Sequence, residues 1–418
     1  MSVMAAAGAH GSGFALYQHS AVSHAMGGAL VGKAMDASAN FINPATLTDL
    51  TNIQVTAGFV TEHPRGRVDV GRVGMSKQRC TMDPGMFVLP HFQLAVPLPA
   101  DFTFGFGMDP EYGLGTAYTD SWPMNFSATD TKIQSIVLNP NIAYKVTDDW
   151  SVGIGARLLY FEFEQYSRPP APISYGGMPL GTATFGNRLR GDNEMRDVGW
   201  QIGTKYDITD TFSVGAVYKS WIDTHVKGKT SNTVLASAPG DPGGAVSAGS
   251  AAYTTGYASA DITMPQSAAV GCNWDVVPTW HLGAAVSWTQ WSKYDTLLFV
   301  LPGPDKSIPL DWRDTWRGSI GSCWDFAEDW KWMASYTYDM DCTTFTQQSV
   351  MLPPADRHIL ATGFAWNCWG GLELALSYAC IFMEGGDMTM GDGIGNRWQL
   401  ETCWGFCHAA GFSVTYRF

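Results

Sequence analysis

The chain has 418 residues, of which 15% are Asp, Glu, Lys or Arg and 13% are aromatic, with 46 glycines and a net charge of −13. Ordinary globular chains carry about 25% charge, so this surface is short of it, and the negative balance argues against a nucleic-acid partner. No stretch approaches the ~18 consecutive apolar residues of a membrane helix, which leaves an all-β chain with its apolar residues spread over alternate positions as the reading that fits.

Met1 to His10 lacks a basic n-region and reads as the remnant of an export signal or as an introduced start. Residues 11 to about 50 do not alternate. The run Gly13-Phe14-Ala15-Leu16-Tyr17 leads into Gly- and Ala-rich sequence, then Asp36-Ala37-Ser38 and Asn43-Pro44-Ala45. Small residues with scattered apolar ones predict short helices and turns packed inside something. About forty such residues ahead of a barrel predict an N-terminal α-helical hatch, or plug, in the lumen, with the barrel spanning 51–418.

The third strand begins at Phe102 and reaches Asp109-Pro110-Glu111-Tyr112-Gly113-Leu114-Gly115. Pro110 cannot donate to a ladder and Gly113 and Gly115 weaken pairing, so a kink or gap is expected there. A short pattern then recurs: a turn residue, an aromatic, any residue, an apolar residue, usually Gly. It occurs at Asp101-Phe102, Asp149-Trp150, Thr211-Phe212, Thr279-Trp280 and Asp329-Trp330, with a sixth turn at Asn367 to Gly371. Tyr144, Tyr206, Trp274 and Trp324 close the strands before four of these turns. Aromatics gathered at one end of every hairpin make an interfacial girdle, because amphipathic rings prefer the headgroup level.

The segments between the tight turns, roughly 63–85, 167–193, 225–256, 294–311, 341–355 and 384–398, read as long irregular loops rich in Gly, Pro, Ser and Thr. Six tight turns plus a strand at each chain end give about fourteen strands, and an even number places both termini on the periplasmic side. In the strand after Trp150, Leu159, Phe161 and Phe163 share the register of Ser151, Gly153 and Gly155, and are expected to face the lumen. Inward apolar side chains suit a greasy pocket and not an aqueous pore. The 167–193 segment carries Pro169, Pro170, Pro172, Ile173, Met178, Leu180 and Phe185, an apolar set suited to an outer capture groove.

At the C-terminus Trp404, Phe406, His408, Ala410, Phe412, Val414, Tyr416 and Phe418 alternate with Cys403, Gly405, Cys407, Ala409, Gly411, Ser413, Thr415 and Arg417. A period of two with one greasy face, ending on an aromatic, is the pattern of an outer-membrane strand of about fifteen residues. That exceeds the ~9–11 needed to cross lipid. Seven of the eight cysteines follow residue 271, without zinc spacing. They read as small wall fillers, with cross-strand disulfides as the alternative; Cys403 and Cys407 lie about 13 Å apart on one strand and cannot pair with each other. No catalytic constellation and no cofactor motif is present.

In this order the Gly13-Phe14-Ala15-Leu16-Tyr17 start, the Asp-Ala-Ser run, Asn43-Pro44-Ala45, Thr147-Asp148-Asp149-Trp150, Asp356-Arg357-His358 and the Thr-Tyr-Arg-Phe end resemble the FadL family over nearly the whole chain. These are outer-membrane importers of long-chain fatty acids and other hydrophobic compounds in Gram-negative bacteria. The resemblance implies a monomeric transmembrane antiparallel barrel of about 14 strands with a hatch that includes Phe14, Asn43, Pro44 and Ala45. It implies a lateral opening at Pro110, Tyr112, Gly113 and Leu114, and a lumenal pocket lined by Leu159, Phe161 and Phe163. Arg168 and Arg313 match basic positions near the ligand head group, where a guanidinium suits a carboxylate. The family usually has Pro at the position of Cys342, which leaves the turn at Asp339 open.

The expected function is passive uptake of long-chain fatty acids, with monoaromatic hydrocarbons as the runner-up. A general aqueous porin and a barrel lipid hydrolase are the readings from other classes. Expected partners are hydrophobic small molecules, outer-membrane lipid and lipopolysaccharide, and the barrel insertion machinery.

Overall fold

The structure, a computed structural model, describes residues 13–175, 178–236, 255–302, 305–344, 350–352, 355–391 and 395–418; the first ten residues and part of the 225–256 and 341–355 segments lie outside these. Fourteen strands form one closed antiparallel barrel. They are β1 (Gln54–Arg72), β2 (Phe87–Pro97), β3 (Phe102–Asp109, resuming at Gly113–Ala117), β4 (Asp130–Lys145), β5 (Trp150–Ser167), β6 (Asp197–Thr209) and β7 (Phe212–Lys219). The circuit continues through β8 (Ser267–Val277), β9 (Trp280–Thr289), β10 (Thr315–Ala327), β11 (Trp330–Asp339), β12 (Arg357–Trp369), β13 (Leu372–Met383) and β14 (Arg397–Arg417). Closure comes from Gln54 to Arg72 of β1 pairing with β14 in a ladder that begins at Gln54↔Arg417. Each of the fourteen strands pairs with a neighbour on both sides along at least part of its length, which is what a strand needs to cross hydrocarbon.

The six turns fall where the aromatic pattern placed them. In the last of them β12 continues to Trp369 through a bulge, and the turn itself is Gly370-Gly371. Both glycines have positive φ, 55° and 84°, the conformation a two-residue hairpin requires. Phe102 and Tyr144 lie with ring centroids 4.6 Å apart, and Trp330 and Trp366 stack at 5.4 Å. These rings face outward and form one girdle. A second forms higher on the wall from Trp316, Tyr336, Tyr378 and Trp404, all exposed.

Two expectations change. The final strand runs 21 residues, not about fifteen. A bulge where β1 passes from Arg67 to Val68 shifts the register opposite Cys403, so above it Leu400 and Thr402 face inward and the simple alternation ends at Trp404. The long segments are also not mainly irregular. Residues 78–82 extend β1 as a hairpin, Met178–Asp192 pairs with β5 and with Ile222–Ala236, and that strand pairs with Gly256–Met264. Their Gly residues are weak strand formers alone, and pairing beyond the membrane supplies the order.

Residues 13–50 hold the short helices α1 (Ala21–Ala25) and α2 (Ala39–Ile42) and a 3-10 turn at Pro44–Asp49. Ser20 caps α1, its hydroxyl accepting from the Ser23 amide at 3.0 Å, and also donates to Asp36 at 2.6 Å. Asn43 caps the 3-10 turn by accepting from the Ala45 amide, while its side-chain amide donates to the carbonyls of Val31 (2.7 Å) and Thr204 (3.0 Å). Pro44 occupies the first turn, where a missing N–H costs nothing. The segment lies directly on the inner wall: a Cβ at Gly203 would collide with Asn43, and one at Gly215 with the Val31 carbonyl. Near the base, Asp49 pairs with Lys205 and Lys33 with Asp275.

Candidate functional site

The wall departs from regular pairing at β3. Its lower part pairs with β2 only as far as Phe92↔Met108, and its upper part, from Gly113, pairs with β4 alone. Between them Pro110, Glu111 and Tyr112 stand outside the β4 ladder, and Ser135 absorbs the break: its hydroxyl accepts from the Tyr112 amide and donates to the Tyr112 carbonyl, both at 2.8 Å. On the opposite side the N-terminal segment takes the place of a strand. The Leu16 amide donates to the Glu111 carbonyl and the Gly113 amide to the Phe14 carbonyl, both at 2.8 Å, around an antiparallel Ala15↔Tyr112 bridge.

Side chains complete this closure. Phe14, fully buried, meets the rings of Trp291 (4.8 Å between centroids), Tyr294 (5.4 Å), Tyr112 (6.0 Å) and Trp312 (6.0 Å). Gly13 reaches this position at φ 61°, with the Trp291 ring so close that a Cβ would strike it. Leu159, Phe161 and Phe163 point inward from β5 into the same apolar cluster, which also takes in Leu114, Ile133 and Trp312. Pi-face and edge contacts of this kind add about 0.5–1.5 kcal/mol per pair to the burial itself.

Below the rings lies a buried charge cluster. The Glu111 carboxylate accepts from Arg157 Nη2 at 2.7 Å and Nε at 3.1 Å, and from Lys219 Nζ at 2.6 Å. Arg157 is 1% exposed and also donates to the Ser220 carbonyl at 3.0 Å. Glu111 therefore pins the break in β3 to β5 and β7. A small lumenal cavity of about 80 Å³ opens beside it, lined by Tyr17, Val31, Phe41, Lys219 and Arg317 among others. The Arg317 guanidinium sits 4.3 Å from the Tyr17 ring centroid and donates to the Gly27 carbonyl at 3.0 Å, with no carboxylate in salt-bridge range among the described residues. Burial pushes His19 down to about 3 and His24 to about 4, so neither adds positive charge to the lumen. A larger concavity, about 790 Å³, lies on the outer wall against Val270, Val286 and Ile320, whose exposure places it toward lipid.

The residues singled out in the sequence fall in three places. Pro110 and Tyr112 form the break, while Gly113 and Leu114 resume the ladder just above it. Arg168 pairs with Asp120 on the loop that follows β3, its amide donating to Asn125. Arg313 is exposed at the rim, its Nε donating to the Asp341 carbonyl at 3.0 Å, next to Trp312 of the aromatic cluster. Asp339 is buried with Arg357 as one of its partners, and Cys342 is buried in the apolar cluster. Of the 167–193 set, Phe185 is buried; the side chains of Pro172, Ile173, Met178 and Leu180 lie outside the described residues. All eight cysteines are free. Sequence reading passed over Glu111, Arg157, Lys219 and Arg317. The signal was present for two of them: Arg157 shares the inward register of Leu159, and Lys219 that of Val217, positions where a charge stands out.

A family model described as outer membrane protein transport protein (OMPP1/FadL/TodX) matches residues 2–418. The chain belongs to this family. It is a transporter of hydrophobic compounds in the outer membrane of a Gram-negative bacterium, not an enzyme. It is 25% identical to a long-chain fatty acid transport protein of Escherichia coli over 80% of this chain and 79% of that one. In fold it is similar to the crystal structure of a Pseudomonas aeruginosa FadL homologue, with a TM-score of 0.83 and 21% identity over 97% of this chain and 100% of the other. It is similar also to the toluene transporter TodX of P. putida, with a TM-score of 0.69 and 18% identity over 96% and 99% of the two chains.

Proposed function

We propose that the protein imports long-chain fatty acids passively and releases them sideways through the break in β3. Residues 13–50 act as the hatch. The ligand enters the apolar cluster around Leu159, Phe161 and Phe163, and leaves where Phe14 to Leu16 now pair with Glu111 to Gly113. The observation that carries the substrate is Arg317: a cation without a carboxylate partner among the described residues, set beside Tyr17 and Phe41 in the lumen. A guanidinium in such surroundings favours a carboxylate on an apolar chain over a neutral hydrocarbon. Arg168 and Arg313, nearer the extracellular end, are proposed to meet the head group on its way in.

Ligand titration tests this. Arg317→Met is expected to weaken oleate binding by about tenfold or more, the worth of one charge-assisted contact, and to leave toluene binding unchanged. Arg313→Ala is expected to act in the same direction with a smaller effect. Equal losses for oleate and toluene would remove the carboxylate role and leave a monoaromatic hydrocarbon as the better substrate.

A further inference from the structure

The outward face where β14 meets β1 differs from the rest of the wall. Below, it carries the apolar column Phe412, Phe406 and Trp404 on β14. Beside the top of that column β1 presents His63, Arg65 and Arg67, with Arg67 directly opposite Trp404 and His63 opposite His408. The Arg67 guanidinium carbon lies 5.2 Å from the Trp404 ring centroid.

Arg67 has no carboxylate within ion-pair range among the described residues, whereas its neighbours do. Arg79 pairs with Asp69 at 2.9 Å, Lys77 with Glu401 at 2.7 Å, and Arg65 and His63 share Asp83 at 3.1 and 3.3 Å. Arg67 is thus the cation of this outward face without a carboxylate partner among the described residues, while Arg65, Lys77 and Arg79 are each matched. Height decides what meets it. Trp404 is twelve residues above Tyr416 in the girdle nearest the termini. At ~3.3 Å per residue and a tilt of roughly 40°, that is about 30 Å, the apolar band plus the start of the outer headgroups.

We propose that this face binds the phosphate of a phosphorylated glycolipid of the outer leaflet. The Arg67 fork donates to the phosphate, with Trp404 holding the guanidinium plane, and Arg65 joins it by turning from Asp83. The acyl chains lie down the Phe406 and Phe412 column. That column, continuous with the cations, is why the occupant is a lipid and not a soluble phosphate.

Native mass spectrometry of the purified full chain, titrated with bisphosphorylated lipid A, its dephosphorylated form and inorganic phosphate, tests the site. Lipid A is expected to bind at least about tenfold more tightly than the dephosphorylated lipid, and inorganic phosphate is not expected to compete at equal concentration. The double substitution Arg65→Ala with Arg67→Ala is expected to lower lipid A affinity by at least about tenfold. Arg67→Lys keeps the charge without the fork and is expected to fall between, which separates a lost contact from a lost fold. Arg190→Ala removes one charge outside this face and is expected to leave binding unchanged. Undiminished binding by the double variant, an equal loss from Arg190→Ala, or inorganic phosphate binding as well as lipid A would each overturn the proposal.

Discussion

Joining position 15 to position 112 by a disulfide is expected to reduce fatty-acid uptake to the level of cells without the protein, and reduction is expected to restore it. Ala15 and Tyr112 form an antiparallel bridge whose flanking amides make the hydrogen bonds, so they are a non-hydrogen-bonded pair. Their Cα atoms then lie about 4.5 Å apart, inside the window of about 4.4–6.8 Å that a disulfide spans. With Ala15→Cys and Tyr112→Cys oxidised, Phe14 to Leu16 cannot leave the break in β3, and the apolar cluster stays sealed from the membrane. Each single substitution serves as the control, because Tyr112→Cys alone removes a ring that packs on Phe14 and a hydroxyl that accepts from Arg157 Nη2 at 3.4 Å. The parent chain, with its eight free cysteines, is oxidised alongside. Normal uptake by protein whose cross-link has been verified by mass would place the exit elsewhere.

Removing the Glu111 side chain is expected to cost about 3–5 kcal/mol of barrel stability. Arg157 and Lys219 both donate to it, and Arg157 is almost wholly buried, so Glu111→Ala leaves two cations facing each other in the lumen without their carboxylate. Urea unfolding in lipid vesicles reads the loss directly. Replacing Lys219 with Met in the same chain is expected to recover part of it, since one of the two stranded charges is then gone, and the cycle gives the coupling between them. A loss below about 1 kcal/mol, the size of an exposed pair, would mean that water or another carboxylate reaches the cations. The break in β3 would then be held by Phe14 and Ser135 rather than by charge.

Both expectations depend on a part of the chain whose chemistry was visible before its contacts were. Pro110 announces that β3 cannot pair continuously, and Glu111 beside it is a charge in the wall of a barrel that otherwise uses few. What adjacency in sequence could not convey is that Phe14 and Leu16, nearly a hundred positions earlier, supply the missing hydrogen bonds. The same holds for the cation proposed to meet the head group. Arg313 and Arg317 sit four positions apart in one motif, but Arg313 stays at the rim while Arg317 enters the barrel facing inward, and only inward register reaches the cavity. At the C-terminus, alternation from Phe418 back to Trp404 is legible by eye; above it the bulge at Arg67 and Val68 changes which side faces water, and a pattern with period two cannot announce its own interruption.

The barrel is legible in the chain alone. Alternation decides which faces are apolar, and aromatic pairs at tight turns decide where lipid ends; both are local properties with a short repeat. The same local chemistry located the weak point of the wall. What fills that point and which cations share the lumen came only with the tertiary structure. Each of those depends on residues tens to hundreds of positions apart being brought within about 3 Å, the range at which a hydrogen bond or ion pair acts, and no repeat along the chain encodes that meeting.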